Sequence, residues 1–573
     1  MAKIRHIKID NFRCIKRFEW RPAPGVNCLI GPGDGGKSTV IDAIDLCLGA
    51  RRAKEFADSD FHLMNTSDPV RIEVTVGDLA DTLKNFDKYD LFLRGFNPAT
   101  KAIEDEPGAG LETALTVVLT VGSDLDPVWS LDSDRAAEAG VEKTLTWGDR
   151  ILLAGTRIGA ASSYHLTWRK GSVLDRLSEE KPNTSAKIAE AKRAARDAFG
   201  GIADDQLGET LGKVEATADE LGVALSSELQ ALLNAHSISL SGGTIAAHDA
   251  DGVPLSGLGL GSTRLLVAGL LNQALVGSDL VLVDELEHGL EPHRIIRFLG
   301  ALGAKASDDH KQAFATSHSP IVLRELSAEQ LFVLRKRDGE HVALPAAVDE
   351  NSQGALRSQP EAFLAKSVLI CEGASEIGLL RGLDIGRVEK GQRSIFAAGV
   401  SLLDAGGCKK LYERTPTLQS LGYRCGCFRD DDVQPGPAQE AFFEASGGRV
   451  FHWAPGQKLE AALICALPAE ALLPLVEFAI ELHDEELIDE HLKGKSEGTL
   501  SLASFRTKPL EEEYSSEVRN CLIAACSSKQ NAWFKSIHAM EELTRRLIVP
   551  HWDDCGDEFK TLINEITEWA LNG

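Results

Sequence analysis

Short hydrophobic runs alternate along the chain with segments of helical period, and several runs end at a glycine or an acidic residue. Residues 1–12 alternate apolar and charged side chains, which predicts an opening β-strand rather than a signal peptide. Residues 25–30 predict a short buried strand, and residues 71–76 alternate like a strand with one exposed face. Because strands and helices interleave, we expect an α/β fold.

Three more apolar strands are predicted in the second half of the chain, where a new unit begins near Phe363. They cover residues 367–371, 394–398 and 423–428. A helix is expected to follow the first of them from Ser375 onward.

A long helical segment separates the two groups of strands. Residues 185–235 are rich in Ala, Glu, Lys and Leu at helical period, as in AKIAEAKRAARDAF and ADELGVALSSELQALL. We therefore expect an inserted helical arm, and we expect it to serve dimerisation.

Composition limits the class of protein. A chain of 573 residues with 43% hydrophobic and 26% charged residues predicts a globular protein of two to four domains. No apolar run reaches about 18 residues, and the eleven cysteines are scattered, so we expect reduced thiols, a cytoplasmic location and no membrane contact. The net charge of −25 argues against coating nucleic acid by bulk charge. Acidic residues gathered around divalent metals remain compatible with a nucleic-acid enzyme.

The segment after the buried strand fits the phosphate-binding pattern G-x-x-x-x-G-K-[ST]. Helical spacing follows, so strand, glycine-rich turn and helix stand in the order that the motif needs. Backbone N–H groups of such a turn bind phosphate oxygens. Lys37 is expected to contact the β- and γ-phosphates of ATP, and the Ser38 hydroxyl is expected to bind Mg²⁺. The predicted ATP-binding residues of this loop are Gly31, Gly33, Gly35, Gly36, Lys37, Ser38 and Thr39.

A second apolar strand, at residues 280–283, ends in the two carboxylates that a P-loop needs. Asp284 is expected to hold Mg²⁺ through water, and Glu285 is expected to polarise the attacking water. His318 follows the predicted strand at residues 312–316 and is a candidate γ-phosphate contact.

A glycine- and serine-rich helix start at residues 255–264 lies just upstream of this acidic strand, in the place of the ABC signature. Ser262 is its candidate nucleotide contact, toward the γ-phosphate held by a second subunit. A flexible loop without this role is the alternative. If the functional interpretation holds, the head works as a dimer.

Acidic residues also follow the strands of the second half. Glu372 ends one strand, and Glu376 lies one helical turn further, so both can face one cleft. In the D-x-D that follows residues 423–428, Asp430 and Asp432 point the same way, while Asp431 points elsewhere and should tolerate Asn far better than they do. These oxygens suit Mg²⁺ or Mn²⁺.

Taken in order, these motifs resemble the OLD (overcoming lysogenization defect) family. The opening residues 11–13, the P-loop, LVLVDELEHGLEP and TSHSP resemble its ABC-type ATPase, and CEGASE and FRDDD resemble its Toprim domain. The resemblance implies an ATPase with an inserted arm, followed by a parallel-sheet α/β nuclease domain. The expected domains are a first ATPase lobe at 1–165, the arm at 166–236, a second ATPase lobe at 237–355 and Toprim with a helical part at 360–573.

The resemblance also implies further site residues and partners. Glu460 corresponds to another metal-site acid, and Lys535 to a lysine that steadies the transition-state phosphate. The resemblance implies two metals in the nuclease site, DNA as substrate, and a homodimer or higher homo-oligomer. In many relatives a UvrD-like helicase is encoded nearby. Gly33 replaces a common asparagine, and the standard LSGGQ is lost, so ATP can be a regulator rather than a fuel.

Several functions compete at this point. The leading hypothesis is an ATP-regulated DNA endonuclease or nickase of the anti-phage type. The alternative is an ATP-dependent sensor or scaffold that holds an effector without nuclease activity of its own. A repair ATPase of the RecF kind predicts no Toprim unit and fits worst. Topoisomerase activity is disfavoured, because no domain supplies the tyrosine nucleophile and strand gate.

Overall fold

The structure is a computed structural model, and its residues divide into two compact units. The first unit comprises Met1–Cys28 and Ser38–Ser317, and the second comprises Leu29–Lys37 and His318–Gly573. The residues described are 2–50, 55–159, 162–168, 171–178, 184–220, 245–273, 280–306, 311–350, 352–413, 415–507, 515–528 and 531–572.

Strands and α-helices follow one another along both units. The strands are β1 (Lys3–Phe12), β2 (Ile15–Trp20), β3 (Val26–Ile30), β4 (Val70–Gly77), β5 (Leu93–Phe96), β6 (Ile103–Glu104), β7 (Glu112–Val121), β8 (Pro127–Asp132), β9 (Thr156–Ile158), β10 (Leu280–Val283), β11 (Gln312–Thr316), β12 (Leu331–Arg337), β13 (Glu340–Pro345), β14 (Ser367–Cys371), β15 (Val400–Asp404), β16 (Arg424–Arg429) and β17 (Arg449–His452). The helices are α1 (Lys37–Leu48), α2 (Phe86–Tyr89), α3 (Asp134–Glu138), α4 (Trp147–Leu153), α5 (Val173–Leu177), α6 (Thr184–Glu220), α7 (Leu260–Leu271), α8 (Pro292–Ala301), α9 (Pro320–Glu325), α10 (Ser352–Ser358), α11 (Glu361–Leu364), α12 (Ala374–Glu389), α13 (Thr415–Ser420), α14 (Pro437–Ala445), α15 (Leu459–Ala466), α16 (Leu472–Leu482), α17 (Glu485–Lys495), α18 (Leu502–Arg506), α19 (Ser516–Cys526), α20 (Ile537–Leu543) and α21 (Asp557–Leu571).

The first unit contains antiparallel strands in the order β6-β5-β7-β4-β1-β2, with β8 beside β7. β1 pairs with β4 through Ile7↔Val74 and Ile9↔Ile72, and these apolar residues are buried. The strands predicted at residues 1–12 and 71–76 are therefore confirmed. Their alternating polar positions remain only partly buried, as expected for a sheet with one covered face.

Parallel strands in the same unit carry the acidic strand. β10 lies between β9 and β11 and pairs with both in parallel. All four of its residues are buried, which explains why the run is continuously apolar rather than alternating. The carboxyl ends of the three strands share one edge, so the residues that follow β10 and β11 are brought together there.

The helical segment begins as predicted. α6 is one helix of 37 residues, Thr184–Glu220. Its side chains Leu207 and Val214 are exposed. The rest of the predicted arm, residues 221–236, lies outside the described residues, and its role in dimerisation stays a prediction.

The second unit is built on a parallel sheet with the order β15-β14-β16-β17. One large hydrophobic cluster packs on it and runs into the C-terminal helices. Phe428 of β16 contacts Trp453, which stacks on Phe559 with a ring separation of 5.4 Å. The sheet core thereby fixes the two strand ends, β14 and β16, that carry the predicted acids.

The prediction of a strand at residues 394–398 is wrong. Those residues form a turn, and the strand is Val400–Asp404. The buried Asp384 carboxylate accepts from the Ser394 hydroxyl and from the Ile395 N–H, at 2.6 and 2.7 Å. Side-chain hydrogen bonds to the backbone therefore compete with the sheet ladder at this point.

Candidate functional site

The P-loop folds around its lysine. Lys37 is buried, and its Nζ donates to the carbonyls of Gly31 and Pro32 at 3.2 and 2.7 Å. Gly31 and Gly36 adopt φ angles of +128° and +85°, which favour glycine. A Cβ on Gly31 would also lie 3.0 Å from the Leu334 carbonyl oxygen. The two glycines are thus required by the backbone path of the loop, whereas nothing lies within 4 Å of a Cβ on Gly33.

The next residue, Ser38, meets the acid that follows β10. Ser38 Oγ donates to Asp284 Oδ1 at 2.9 Å across a separation of 246 residues. Thr316, the last residue of β11, donates its hydroxyl to the same oxygen at 2.7 Å. A P-loop hydroxyl joined to a strand-end aspartate is the arrangement that holds Mg²⁺ beside nucleotide phosphates.

Glu285 and the other predicted nucleotide contacts are less tightly placed. Glu285 has a φ of +47°, and its exposed carboxylate lies 3.4 Å from His288 Nδ1. Strain of this kind at a non-glycine residue is common beside functional sites. Thr39 Oγ1 lies 3.4 Å from Cys14 Sγ, and His318 is exposed after β11. A γ-phosphate contact by His318 stays a prediction.

The signature-like segment packs against the acidic loop of its own chain. Arg264 is buried and donates to the carbonyls of Asp284, Glu285 and His288 at 2.6 to 3.1 Å. A Cβ on Gly261 would lie 2.0 Å from the Gly289 carbonyl oxygen, so only glycine fits there. These contacts support the loop that carries Asp284 within the same chain. Sequence reasoning assigned the segment only to a second subunit.

The segment's serine is also engaged. Ser262 Oγ accepts from Arg294 Nη1 of α8 at 3.0 Å. The predicted contact of Ser262 with the nucleotide of another subunit is not tested by this arrangement and stays a prediction.

Sequence reasoning missed Arg157 of β9. Its guanidinium lies 2.6 Å from Asp42 and 3.2 Å from Asp45, both on α1, and 3.9 Å from Asp284 Oδ2. Burial opposes its charge, but these carboxylates hold the pKa of Arg157 above its ordinary value. Arg13 donates to Asp42 from the other side. A charged arginine inside a short buried strand was the only local signal.

The second unit gathers predicted metal ligands at the carboxyl ends of β14 and β16. Parallel pairing of Cys371 with Phe428 sets the two strand ends side by side. Asp430 N–H donates to Glu372 Oε2 at 3.1 Å. Glu376 is buried at the start of α12, where its Oε2 accepts from the Gly373 N–H at 2.9 Å. The sequence prediction that Glu372 and Glu376 face one cleft fits this arrangement.

A third element brings Glu460 to the same acids. Leu459 N–H, at the start of α15, donates to Asp430 Oδ1 at 2.8 Å. Glu460 is the next residue, and its side chain is 3% exposed. Its Oε1 lies 2.7 Å from Lys535 Nζ. No hydrogen-bond donor of the described chain reaches its Oε2.

The carboxylates of this centre repel one another. Burial, with the Glu376 and Glu372 carboxylates nearby, raises the pKa of Asp430 to about 8. Burial and Glu372 raise the pKa of Glu376 to about 7, and burial and Asp432 raise the pKa of Glu372. Carboxylates destabilised in this way are stabilised by a cation. Together with the unsatisfied Glu460 oxygen, this donor set fits a divalent oxygen-preferring metal.

The acids are not close enough to form a compact ligand set as they stand. Of the described His, Cys, Asp and Glu residues, the group whose ligand atoms all lie within 4.8 Å is Glu470, His551 and Asp554 on the surface. Coordination of one ion by three acids of the centre therefore needs side-chain shifts. Asp432, the remaining predicted ligand, pairs with Lys458 Nζ at 3.0 Å.

Asp431 points away from its neighbours as predicted, but it is not a freely replaceable residue. Its buried carboxylate accepts from Arg429, Gln434 and the Gly456 N–H, each at 2.9 Å. Although burial opposes ionisation, these donors lower the pKa of Asp431 to about 2. Asn at Asp431 would break the buried ion pair with Arg429, and its better tolerance there than at Asp430 and Asp432 stays a prediction.

Comparisons with known proteins support the ATP-binding half. A family described as "AAA domain" matches residues 6–103, and one described as "AAA domain, putative AbiEii toxin, Type IV TA system" matches residues 135–324. The first match contains the P-loop, and the second contains Asp284. The chain carries an AAA-type ATPase region. Comparison with curated proteins gives no significant match.

Several solved structures resemble the chain loosely. The SmcHead bound to the C-winged helix domain of ScpA is 13% identical and matches over 60% of this chain and 97% of its own, with a TM-score of 0.33. The Smc head domain with an extended coiled coil, bound to the C-terminal domain of ScpA derived from Pyrococcus furiosus, is 12% identical. It matches over 60% of this chain and 96% of its own, with a TM-score of 0.35. The SMC head domain from Thermotoga maritima is 13% identical and matches over 60% of this chain and 98% of its own, with a TM-score of 0.28. These similarities assign no residue role. No described helix is long and apolar enough to cross a membrane.

Proposed function

We propose that this protein is an ATP-binding, divalent-metal-dependent DNA endonuclease or nickase. The observation that carries the proposal is Glu460, a buried carboxylate with one oxygen lacking a donor among the described residues, beside Asp430 and Lys535. Burying carboxylates together is costly unless a cation joins them.

The chain's own residues suit phosphodiester hydrolysis. Glu372, Glu376 and Asp430 would hold the cation, with the Glu460 carboxylate beside them, and Mg²⁺ or Mn²⁺ bound there would polarise the scissile phosphate and activate water. Lys535 sits at the edge of these acids, where Glu460 and then Asp430 and Glu376 keep its ammonium charged against the effect of burial and hold its pKa above the ordinary value. A fixed ammonium at this edge would stabilise negative charge that develops on the phosphate.

ATP would act through the P-loop. Ser38, Asp284 and Thr316 would hold Mg²⁺, and Lys37 would bind the β- and γ-phosphates. We propose that ATP regulates cleavage and that the ATPase works in a homodimer. The description of the second family as a toxin of a toxin–antitoxin system supports a role in anti-phage defence.

The second candidate is an ATP-dependent sensor or scaffold without cleavage activity. One observation favours it: no three acids of the centre have ligand atoms within 4.8 Å of one another among the described residues.

Supercoiled plasmid incubated with the purified chain, Mg²⁺ or Mn²⁺, with and without ATP, separates the two candidates. We expect nicked or linear DNA that depends on the metal, and its loss in Glu372→Gln. Glu470→Gln is the matched control, because it removes an acid from the surface group of Glu470, His551 and Asp554. Equal nicking by wild type and Glu372→Gln would exclude this centre as the nuclease, and absence of nicking by the wild type would favour the scaffold.

A further inference from the structure

The five acids of the metal centre do not share the same neighbours. Two of them form ion pairs, Glu460 with Lys535 at 2.7 Å and Asp432 with Lys458 at 3.0 Å. The other three are grouped with one another, and the ion pairs of the described residues include none of them. These three are Glu372, Glu376 and Asp430: Glu372 Oε2 accepts from the Asp430 N–H at 3.1 Å, and Glu376 Oε2 accepts from the N–H of Gly373, the residue after Glu372, at 2.9 Å.

The backbone on both sides of Lys458 is held by hydrogen bonds to the aspartates at residues 430 and 431. The residue after it, Leu459, donates its N–H to Asp430 Oδ1 at 2.8 Å. The residue before it, Gln457, accepts from the Asp431 N–H at 2.9 Å. The backbone on both sides of Lys458 is thus tied to the D-D-D turn, and its ammonium is held against Asp432. An ion bound at Asp432 would have to displace this ammonium from the carboxylate.

We infer that the centre binds one divalent cation per chain, at Glu372, Glu376 and Asp430, and that the Lys458 ammonium takes the position of the second ion of a two-metal nuclease. The inference rests on the proposed function. In a two-metal site, the second ion lies roughly 3.5–4 Å from the first and stabilises one oxygen of the reacting phosphate. Here the Lys458 ammonium would stabilise that oxygen, and Asp432 would orient Lys458 rather than bind metal. This departs from the two-metal site implied by the resemblance.

Counting bound Mn²⁺ tests the inference independently of activity. The full chain is titrated with Mn²⁺ without nucleotide, and free Mn²⁺ is measured by its paramagnetic resonance signal. Ions still bound by Asp430→Asn are subtracted, and His551→Ala identifies any ion held by the surface group. We expect one ion per chain for the wild type, one for Lys458→Arg, and two for Lys458→Met.

Matched controls exclude a general effect of charge. Lys493 pairs with Asp489 at 2.5 Å with exposures of 54% and 26%, close to the 45% and 24% of Lys458 and Asp432. Lys493→Met should therefore leave the count unchanged. Asp432→Asn should keep one ion, and this variant decides the matter if Lys458→Met fails to fold.

The failures of the two proposals differ. Two ions in the wild type, or no ion in Asp432→Asn, overturns the one-ion inference even when plasmid is nicked. A folded Lys458→Met that still binds one ion also overturns it. One bound ion without any nicking overturns the nuclease proposal and leaves the one-ion centre standing.

Discussion

Asp284 and Asp430 follow buried parallel strands in the same way, yet their carboxylates meet opposite surroundings. Asp284 accepts two hydroxyls on one oxygen and has Arg157 3.9 Å from the other. Asp430 accepts one backbone N–H and, although Lys535 is also near, burial and the Glu376 carboxylate raise its pKa to about 8. The first site is organised by donors of the chain itself, whereas for the second we propose a cation from outside.

The difference has a consequence for how each site responds to its ligand. The Ser38 and Thr316 hydroxyls already hold the Asp284 carboxylate, so binding of the proposed Mg²⁺ there is expected to depend mainly on nucleotide phosphates and Lys37. The acids around Asp430 repel one another, so a metal is expected to stabilise the second unit directly, since a ligand that binds only the folded state adds to its stability. Three experiments test this contrast.

The largest effect is expected from Lys535→Ala. Cleavage should fall by about 10²–10³, the usual loss for one transition-state contact. Mn²⁺ affinity should hold or rise, because Glu460 loses the ammonium that lies 2.7 Å away. Nicking rates and Mn²⁺ titrations of the same preparation measure both, with Lys493→Ala as the control. A parallel fall in metal affinity and rate would mean that Lys535 only supports the metal centre.

Lys37→Ala should weaken ATP binding by about ten- to a hundredfold, because a charge-assisted hydrogen bond contributes roughly 1.5–3 kcal/mol and each tenfold in affinity is about 1.4 kcal/mol. Calorimetry with ATP and Mg²⁺ gives the affinity. Mn²⁺ binding at the acids around Asp430 should not change in the same variant. Wild-type ATP affinity would contradict the assignment of the P-loop.

The smallest effect is expected in the pH dependence of stability without metal. Asp430 and Glu376 have raised pKa values in the folded protein, about 8 and about 7, so the folded state binds their protons more tightly than the unfolded state. Stability should therefore fall as pH rises from about 4, the ordinary carboxyl value, to about 8. Thermal melting in chelator over this range should show the fall.

Two variants sharpen that melting experiment. Asp430→Asn should reduce the dependence of the melting temperature on pH, and Mg²⁺ should reduce it in the wild type. Asp284→Asn should leave it unchanged, because Asp284 is surrounded by hydroxyls and Arg157 rather than by acids. An equal slope in chelator for wild type and Asp430→Asn would argue against repulsion among the acids of the second unit.

Local patterns were sufficient where a buried strand ends in a charged residue. β3, β10, β14 and β16 were all predicted within one or two residues, because a continuous apolar run followed by glycine or acid marks both the strand and its end. The turn at residues 394–398 was mistaken for a strand, because the competing carboxylate of Asp384 lies on a preceding helix. Apolar content alone does not reveal such a bond.

The sequence by itself determined the motifs, their order and the strand ends on which they lie, since each depends on neighbours within a few residues. Only the tertiary structure decided which charges meet. Arg157 joins Asp42 and Asp45, Arg264 supports the loop of Asp284, and Lys458 pairs with Asp432. These pairings follow from the register of strands and the packing of helices. A charge far along the chain leaves no periodic trace of the partner that neutralises it.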